Sequence, residues 1–204
     1  ENYLDKIQYI KYIIIGLSYY SFEYDLTQSS IASRAFRYYS ILKDFHNIVS
    51  TEEYNSFKEV NDKVFITEYN HVYVDSFKDT EWDNKNKTEE LAKFIALEES
   101  NKNYPKTVLE NEKVLSNYLD LLKRNNIKPI LVVCPVSKMY SKYFSKELMQ
   151  RFYNSINKLK KIYSFHVYDF FTSNLFCDND FYDFTHLNEV GSEKLTNILN
   201  DIIS

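Results

Sequence analysis

Two uninterrupted runs of β-branched and aliphatic residues constrain the fold more than any other feature: Lys11-Tyr12-Ile13-Ile14-Ile15-Gly16-Leu17 and Pro129-Ile130-Leu131-Val132-Val133-Cys134. Runs without polar alternation suit strands covered on both faces, and such strands belong to parallel sheets flanked by helices. Phe165–Phe170 reads as a further strand, and Val64–Thr67 and His71–Val74 as two short ones.

Between these runs the apolar spacing turns helical. Tyr3, Leu4, Ile7 and Ile10 mark a first helix, and Ala35, Phe36, Tyr39, Leu42 and Phe45 another, with His46 near its end. Residues 53–60 have room for a short one. Thr88 caps a helix running to about Ser100 that carries Leu91, Phe94 and Ile95. Thr107-x-x-Glu110, just after Pro105, has the form of a capping box opening a helix with Val108, Leu115, Tyr118, Leu119 and Leu122. Residues 145–163 direct Leu148, Phe152, Ile156 and Leu159 inward, and Val190, Leu195, Ile198, Leu199 and Ile202 stripe a final helix. Strands alternating with helices predict an α/β fold, a three-layer α/β/α sandwich on a mostly parallel sheet. With 204 residues, no clear linker and no internal repeat, a single domain over 1–204 is expected. The polar stretch 75–88, with the sole tryptophan Trp82, reads as an insertion or lid.

Composition closes off several classes. Hydrophobic residues make up 44% and charged residues 26%, as in a globular chain rather than a disordered one. A net charge of -4 offers nothing to nucleic acid or an anionic membrane surface. No apolar run approaches the roughly 20 residues a spanning helix needs. No signal peptide opens the sequence, which begins at Glu1 within a helical pattern and so reads as a fragment; bacterial cytoplasm and cell envelope both stay open. Cys134 and Cys177 are too few for a disulfide framework, and Cys134 reads as a buried strand thiol.

Chemistry concentrates in Asp183-Phe184-Thr185-His186-Leu187-Asn188. A carboxylate three residues before an imidazole can hold it in one tautomer and stabilise the imidazolium formed when it takes a proton from a serine. The plainer alternative is a turn aspartate and a surface histidine ahead of Asn188 as N-cap. Gly191 follows, and with Gly16 it completes the glycines of the chain, an economy that points to local backbone demands at both.

The stretch Asp183-x-x-His186-Leu187-Asn188-x-x-Gly191 resembles the last block of the SGNH (GDSL-like) hydrolase superfamily, D-x-x-H-L-n-x-x-G. The resemblance implies a Ser-His-Asp esterase or acyltransferase of flavodoxin-like architecture, with His186 as base and Asp183 as its orienter. It also implies a small acyl ester as substrate, such as O-acetyl on a bacterial surface carbohydrate, and no cofactor. Gly16-Leu17-Ser18, a G-x-S at a strand end, offers Ser18 as nucleophile in the order the superfamily requires, with Leu17 where that family has Asp. On a second alignment Tyr12–Asp25 corresponds to a later strand and the serine lies upstream of Glu1. No G-x-N-D block is present, so the oxyanion donors are unassigned. Loops leaving strand C-termini bind ligands in open α/β sheets, which makes Ser137, Lys138 and Tyr140 candidate substrate contacts.

Two other functions fit the same residues. Asp178, Asp180, Asp183 and His186 could ligate a divalent ion in a phosphoesterase, although no facing ligand-rich segment is present. A domain of this fold without its nucleophile would instead bind a glycan or a protein partner.

Overall fold

The computed structural model describes residues 9–25, 87–101 and 105–204. The chain divides into two compact units, Glu1–Tyr24 with Trp82–Ser204 and Asp25–Glu81, and every described residue except Asp25 belongs to the first. The expected helices at 3–10, 35–45 and 53–60, the strands at 64–67 and 71–74, and the loop 75–86 with Trp82 lie wholly or largely outside the described residues.

The first unit is a mixed α/β structure on a parallel sheet. Strand β1 (Tyr12–Leu17), β2 (Lys128–Val133) and β3 (His166–Asp169) lie in the order β1-β2-β3. Ile14 pairs with Ile130, and Ile130 with His166. Among the described residues there are five α-helices, in chain order α1 (Glu89–Ser100), α2 (Pro105–Arg124), the single-turn α3 (Lys138–Ser141), α4 (Lys146–Lys160) and α5 (Glu189–Ile203), with a 3-10 turn at Asp178–Asp180.

Strand β2 explains the layering. Because side chains alternate across a strand, Leu131 and Val133 enter one core with Ala92 and Ala96 of α1, Leu115 and Leu119 of α2, and Leu148, Phe152, Ile156 and Leu159 of α4. Ile130 and Val132 enter a second core with Phe170, Phe176 and Phe181, closed by Leu195, Ile198, Leu199 and Ile202 of α5. Helices therefore cover both faces of β2, which is why its sequence is apolar without a break.

β1 departs from the expectation of burial on both faces. Ile13, Ile15 and Leu17 are half-buried, Ile15 and Leu17 against the first core, but Tyr12, Ile14 and Gly16 are exposed, Ile14 at 44%. An apolar run records that both faces can be covered; it does not say that both are. Cys134, expected in the core, is likewise exposed, because β2 ends at Val133.

Helix boundaries follow from their caps. Thr88 Oγ1 accepts the Leu91 N–H at 3.2 Å, and Ser145 Oγ accepts that of Leu148 at 3.2 Å, each satisfying a donor the helix leaves free. The capping box at Thr107 is not formed: α2 starts two residues earlier at Pro105, a residue suited to a first turn, and Thr107 is buried inside the helix, its hydroxyl making no hydrogen bond among the described residues. At the other end Asn126 takes a left-handed conformation (φ 56°), and the Ile127 N–H returns to the Leu122 carbonyl at 2.9 Å. α1 turns inward a face that is only partly the one its large residues suggest. Ile95 packs half-buried against the first core as expected, but Leu91 and Phe94 are exposed and Ala92 and Ala96 are fully buried.

Leu131, fully buried under helices, and Ile14, on the open face of β1, give the layering a direct test. Leu131→Ala should cost about 2–5 kcal/mol in urea unfolding, and Ile14→Ala under about 1 kcal/mol. Equal costs would contradict the assigned faces.

Candidate active site

All three strands end at the same edge, and their loops are tied to one another there. The Cys134 N–H donates to the Leu17 carbonyl at 3.4 Å and the Phe170 N–H to that of Val133 at 2.9 Å. The Ser137 N–H donates to the Phe184 carbonyl at 2.9 Å, and the Lys138 N–H to Asp178 Oδ1 at 3.1 Å. The first loop is clamped from behind as well. Asn111 Nδ2 of α2 reaches the carbonyls of Ser21, Phe22 and Tyr24 at 3.1–3.2 Å, and Arg151 of α4 grips the buried Glu23 carboxylate at 2.5 and 3.0 Å. A forked guanidinium fixes a carboxylate in orientation as well as position.

The loop after β3 is folded tightly onto α5. The Asp180 carboxylate is buried, accepts the Cys177 N–H at 2.9 Å and pairs with Lys194 at 2.6 Å. Burial works to raise its pKa, but Lys194 and the Cys177 N–H prevail and hold it below the ordinary carboxylate value. The Asp180 carbonyl accepts the Asn188 N–H at 3.0 Å, the Tyr182 N–H donates to the His186 carbonyl at 2.8 Å, and Phe181 and Leu187 form an antiparallel bridge. Asn188 caps α5 through its Oδ1, which accepts the Gly191 N–H at 3.0 Å. Gly191 lies so close to the loop that a Cβ there would stand 2.1 Å from the Asp180 carbonyl oxygen. Gly16 is under no such demand, since its nearest neighbour would be Cys134 Sγ at 3.9 Å and its φ is not positive.

On this base stands the Asp183–His186 pair. Asp183 Oδ1 accepts the N–H groups of Thr185 at 2.8 Å and His186 at 2.7 Å, leaving Oδ2 to meet His186 Nδ1 at 2.7 Å. With Nδ1 protonated toward the carboxylate, Nε2 carries the lone pair, and among the described residues it makes no hydrogen bond. Burial pushes the Asp183 pKa up, but the bonds from His186 and the two backbone N–H groups bring it below the usual value. The His186 pKa is raised chiefly by its bond to Asp183, against desolvation, with the Glu99 charge adding to it. The imidazole is 71% exposed, so solvent screens the pair and it is an orienting device more than a stabilising one.

His186 stands on the wall of a cavity of about 250 Å³, together with Ser18, Cys134, Tyr140, Phe171 and Glu99. Of the residues singled out in the sequence, Ser18, Tyr140 and His186 therefore share one cavity. No hydrogen bond joins Ser18 Oγ to His186 among the described residues, and the Ser18 N–H is already given to Ser21 Oγ at 2.8 Å. Ser137 and Lys138 are not on that wall. Ser137 is buried and caps α3, its Oγ accepting the Tyr140 N–H at 3.3 Å, while the Lys138 side chain faces solvent. Tyr140 is buried, and its hydroxyl donates to the Glu99 carboxylate; burial and that anion raise its pKa. Asp178, Asp180, Asp183 and His186 do not assemble as ligands: Asp180 is engaged by Lys194 and Asp183 by His186, and among the described residues no group of three or more such side chains could hold a metal ion.

A family model described as DltD protein matches residues 96–192. The matched span, just under half of the chain, takes in the end of α1, all of α2 to β3, and Asp183 through Gly191, but not β1 or Ser18. Nothing matched among curated proteins or solved structures. Within that span, Glu99 is a cavity residue that the spacing of large apolar side chains does not pick out. It lies three and seven residues after the buried Ala96 and Ala92, so the small-residue phase of α1 was the available signal.

Gly191→Ala should destabilise the protein by about 1–3 kcal/mol through overpacking, and Gly16→Ala by well under about 1 kcal/mol, both read from denaturant midpoints. A tolerated alanine at 191 would contradict the close approach of α5 to Asp180.

Proposed function

We propose that the chain carries an SGNH-type acyl-transfer site in which His186 is the general base, Asp183 its orienter and Ser18 the nucleophile. The observation that supports it is the Asp183–His186 pair at 2.7 Å, with the aspartate fixed by two backbone N–H groups and the imidazole on the wall of a cavity it shares with Ser18. Similarity to the DltD family supports D-alanylation of a bacterial cell-surface polymer as the setting, with the acyl group passed to or from a carbohydrate hydroxyl. An O-acetyl esterase acting on a surface carbohydrate would use the same machinery.

In this mechanism His186 Nε2 takes the hydroxyl proton as serine Oγ attacks the acyl carbonyl. The imidazolium returns that proton to the leaving group, and an acyl-enzyme remains. An incoming water or sugar hydroxyl then gives its proton to Nε2 and attacks the ester, and the serine recovers a proton as it leaves. Asp183 stays ionised throughout, its low pKa matching that duty. The Ser18 N–H is committed to Ser21 Oγ, so donors for the oxyanion come from elsewhere.

A second reading, a binding domain for a glycan or partner with no nucleophile of its own, is favoured by one observation: Ser18 Oγ and His186 are not hydrogen-bonded. Hydrolysis of an activated acyl ester separates the two. His186→Ala and Ser18→Ala should each lower kcat/KM by about 10³-fold or more while the thermal transition is kept. Turnover unchanged in His186→Ala would remove the site.

The pH dependence carries the same assignment. The base must be neutral, so turnover should rise as pH passes through the His186 pKa, displaced above the ordinary value of about 6.5. Asp183→Asn removes the anion that raises it, so the limb should move to lower pH while the plateau falls. A limb that stays in place in Asp183→Asn would contradict the assigned pair.

A further inference from the structure

A cavity of about 690 Å³ opens at the end of the sheet opposite the candidate active site. Its wall takes in Lys128 and His166, the first residues of β2 and β3, whereas Ser18, Cys134 and His186 line the cavity at the strands' C-terminal ends. At about 3.3 Å per residue, β2 spans roughly 17 Å from Lys128 to Val133. The loops from α2 to β2 and from α4 to β3 build the wall, and both are pinned. The Ile127 N–H returns to the Leu122 carbonyl and the Tyr163 N–H to that of Leu159, each at 2.9 Å. The Tyr163 hydroxyl shares a hydrogen bond of 2.8 Å with Ser116 Oγ on α2.

The wall joins apolar surface to unpaired positive charge. Leu119, Ile127 and Phe165 are buried residues of the lining, while Ile162 is 65% exposed. Lys123 and Lys128 also line it, and no carboxylate does. Among the described residues neither lysine forms an ion pair; Lys128 Nζ lies 5.5 Å from the centre of the Tyr12 ring. In a chain of net charge -4 this is a local reversal of sign. A cation in the last turn of α2 complements the helix dipole, which accounts for Lys123 in part. Lys128 opens a strand and has no such duty.

An apolar wall edged by two ammonium groups is the chemistry that recognises an organic anion. The body of such a ligand leaves water against Leu119, Ile127 and Phe165, and its charge meets donors that carry charge themselves. A bare inorganic anion would leave the apolar part of the wall wetted, and a neutral apolar molecule would leave both cations without a counter-charge. The volume lies within the roughly 300–1,000 Å³ of pockets that take small organic ligands.

We propose that this cavity is a second ligand site, for a small carboxylate with an aromatic or aliphatic body, its charge held by Lys123 and Lys128. The site shares no residue with the Ser18–His186 cavity and stands independently of the acyl-transfer reading.

1-Naphthoate and 1-naphthamide share one ring system and differ in the charge of the head group, so their binding to the folded chain isolates this contact. Titrations near neutral pH, followed by NMR, should show naphthoate bound at least about tenfold more tightly, with the preference shrinking as salt is added. Lys123→Gln and Lys128→Gln should each lower the ratio, and the double variant should bring it close to one while keeping the thermal transition. Lys146→Gln, which removes a charge at the far end of α4, should leave the ratio unchanged, as should His186→Ala. Equal binding of the two probes by the wild type, or a preference that survives the double variant, would overturn the proposal. So would a preference lost in His186→Ala, which would place the anion in the other cavity.

Discussion

The candidate site depends on the burial of Asp180 beneath α5. Its carboxylate is locked by Lys194 and the Cys177 N–H, and its carbonyl receives the Asn188 N–H and occupies the space a side chain at position 191 would need. A buried charge is tolerable only when paired and hydrogen-bonded, and this one is both. The aspartate is thereby fixed to the helix, and the next three residues have little freedom left. Asp183 and His186 are presented from a short loop whose ends are hydrogen-bonded to each other and whose exit is the capped start of α5. The loop is held by backbone and buried charge, so the Asp183 and His186 side chains can stand exposed without losing their mutual orientation.

The sheet supplies the other half of the arrangement. Parallel strands place all their C-terminal ends on one edge, and the loops after β1, β2 and β3 are stitched together there by backbone hydrogen bonds. Behind them Asn111 and Arg151 tie the first loop to α2 and α4. Tyr19 and Tyr153 both donate to the Asp169 carboxylate, which joins that loop to α4 and the end of β3. A burial-raised hydroxyl pKa at both tyrosines keeps them donors at all ordinary pH. Little of this rigidity comes from the Asp183–His186 contact itself, which is open to solvent.

Much of this was legible in the sequence, for identifiable reasons. β2 and α4 were plain because burial on a complete face writes a full period into the residues: Ile130 to Val133 without a break, and Leu148, Phe152, Ile156 and Leu159 at helical spacing. Asp183, His186, Asn188 and Gly191 were legible together because each answers a local demand: a carboxylate and an imidazole spaced to hydrogen-bond, a helix cap and a close approach. The inward face of α1 was legible only at Ile95, since Leu91 and Phe94 outweigh two alanines in any periodicity, and packing space, which decided the matter, is not a property of one helix. Thr107 misled because a capping box is also two ordinary residues of a helix that starts earlier. Glu99 escaped notice for the same reason as Ala92 and Ala96. Cys134 and the outer face of β1 show the limit of apolar runs, which mark the capacity for burial while the neighbours determine its extent.

The central claim is that His186, held by Asp183, activates a serine of this chain. Labelling with a fluorophosphonate probe, with the modified peptide mapped by mass spectrometry, tests it most directly. The account predicts covalent modification at Ser18 that is lost in His186→Ala. A folded chain that takes up no label, or one labelled at Ser18 equally well without His186, would contradict it.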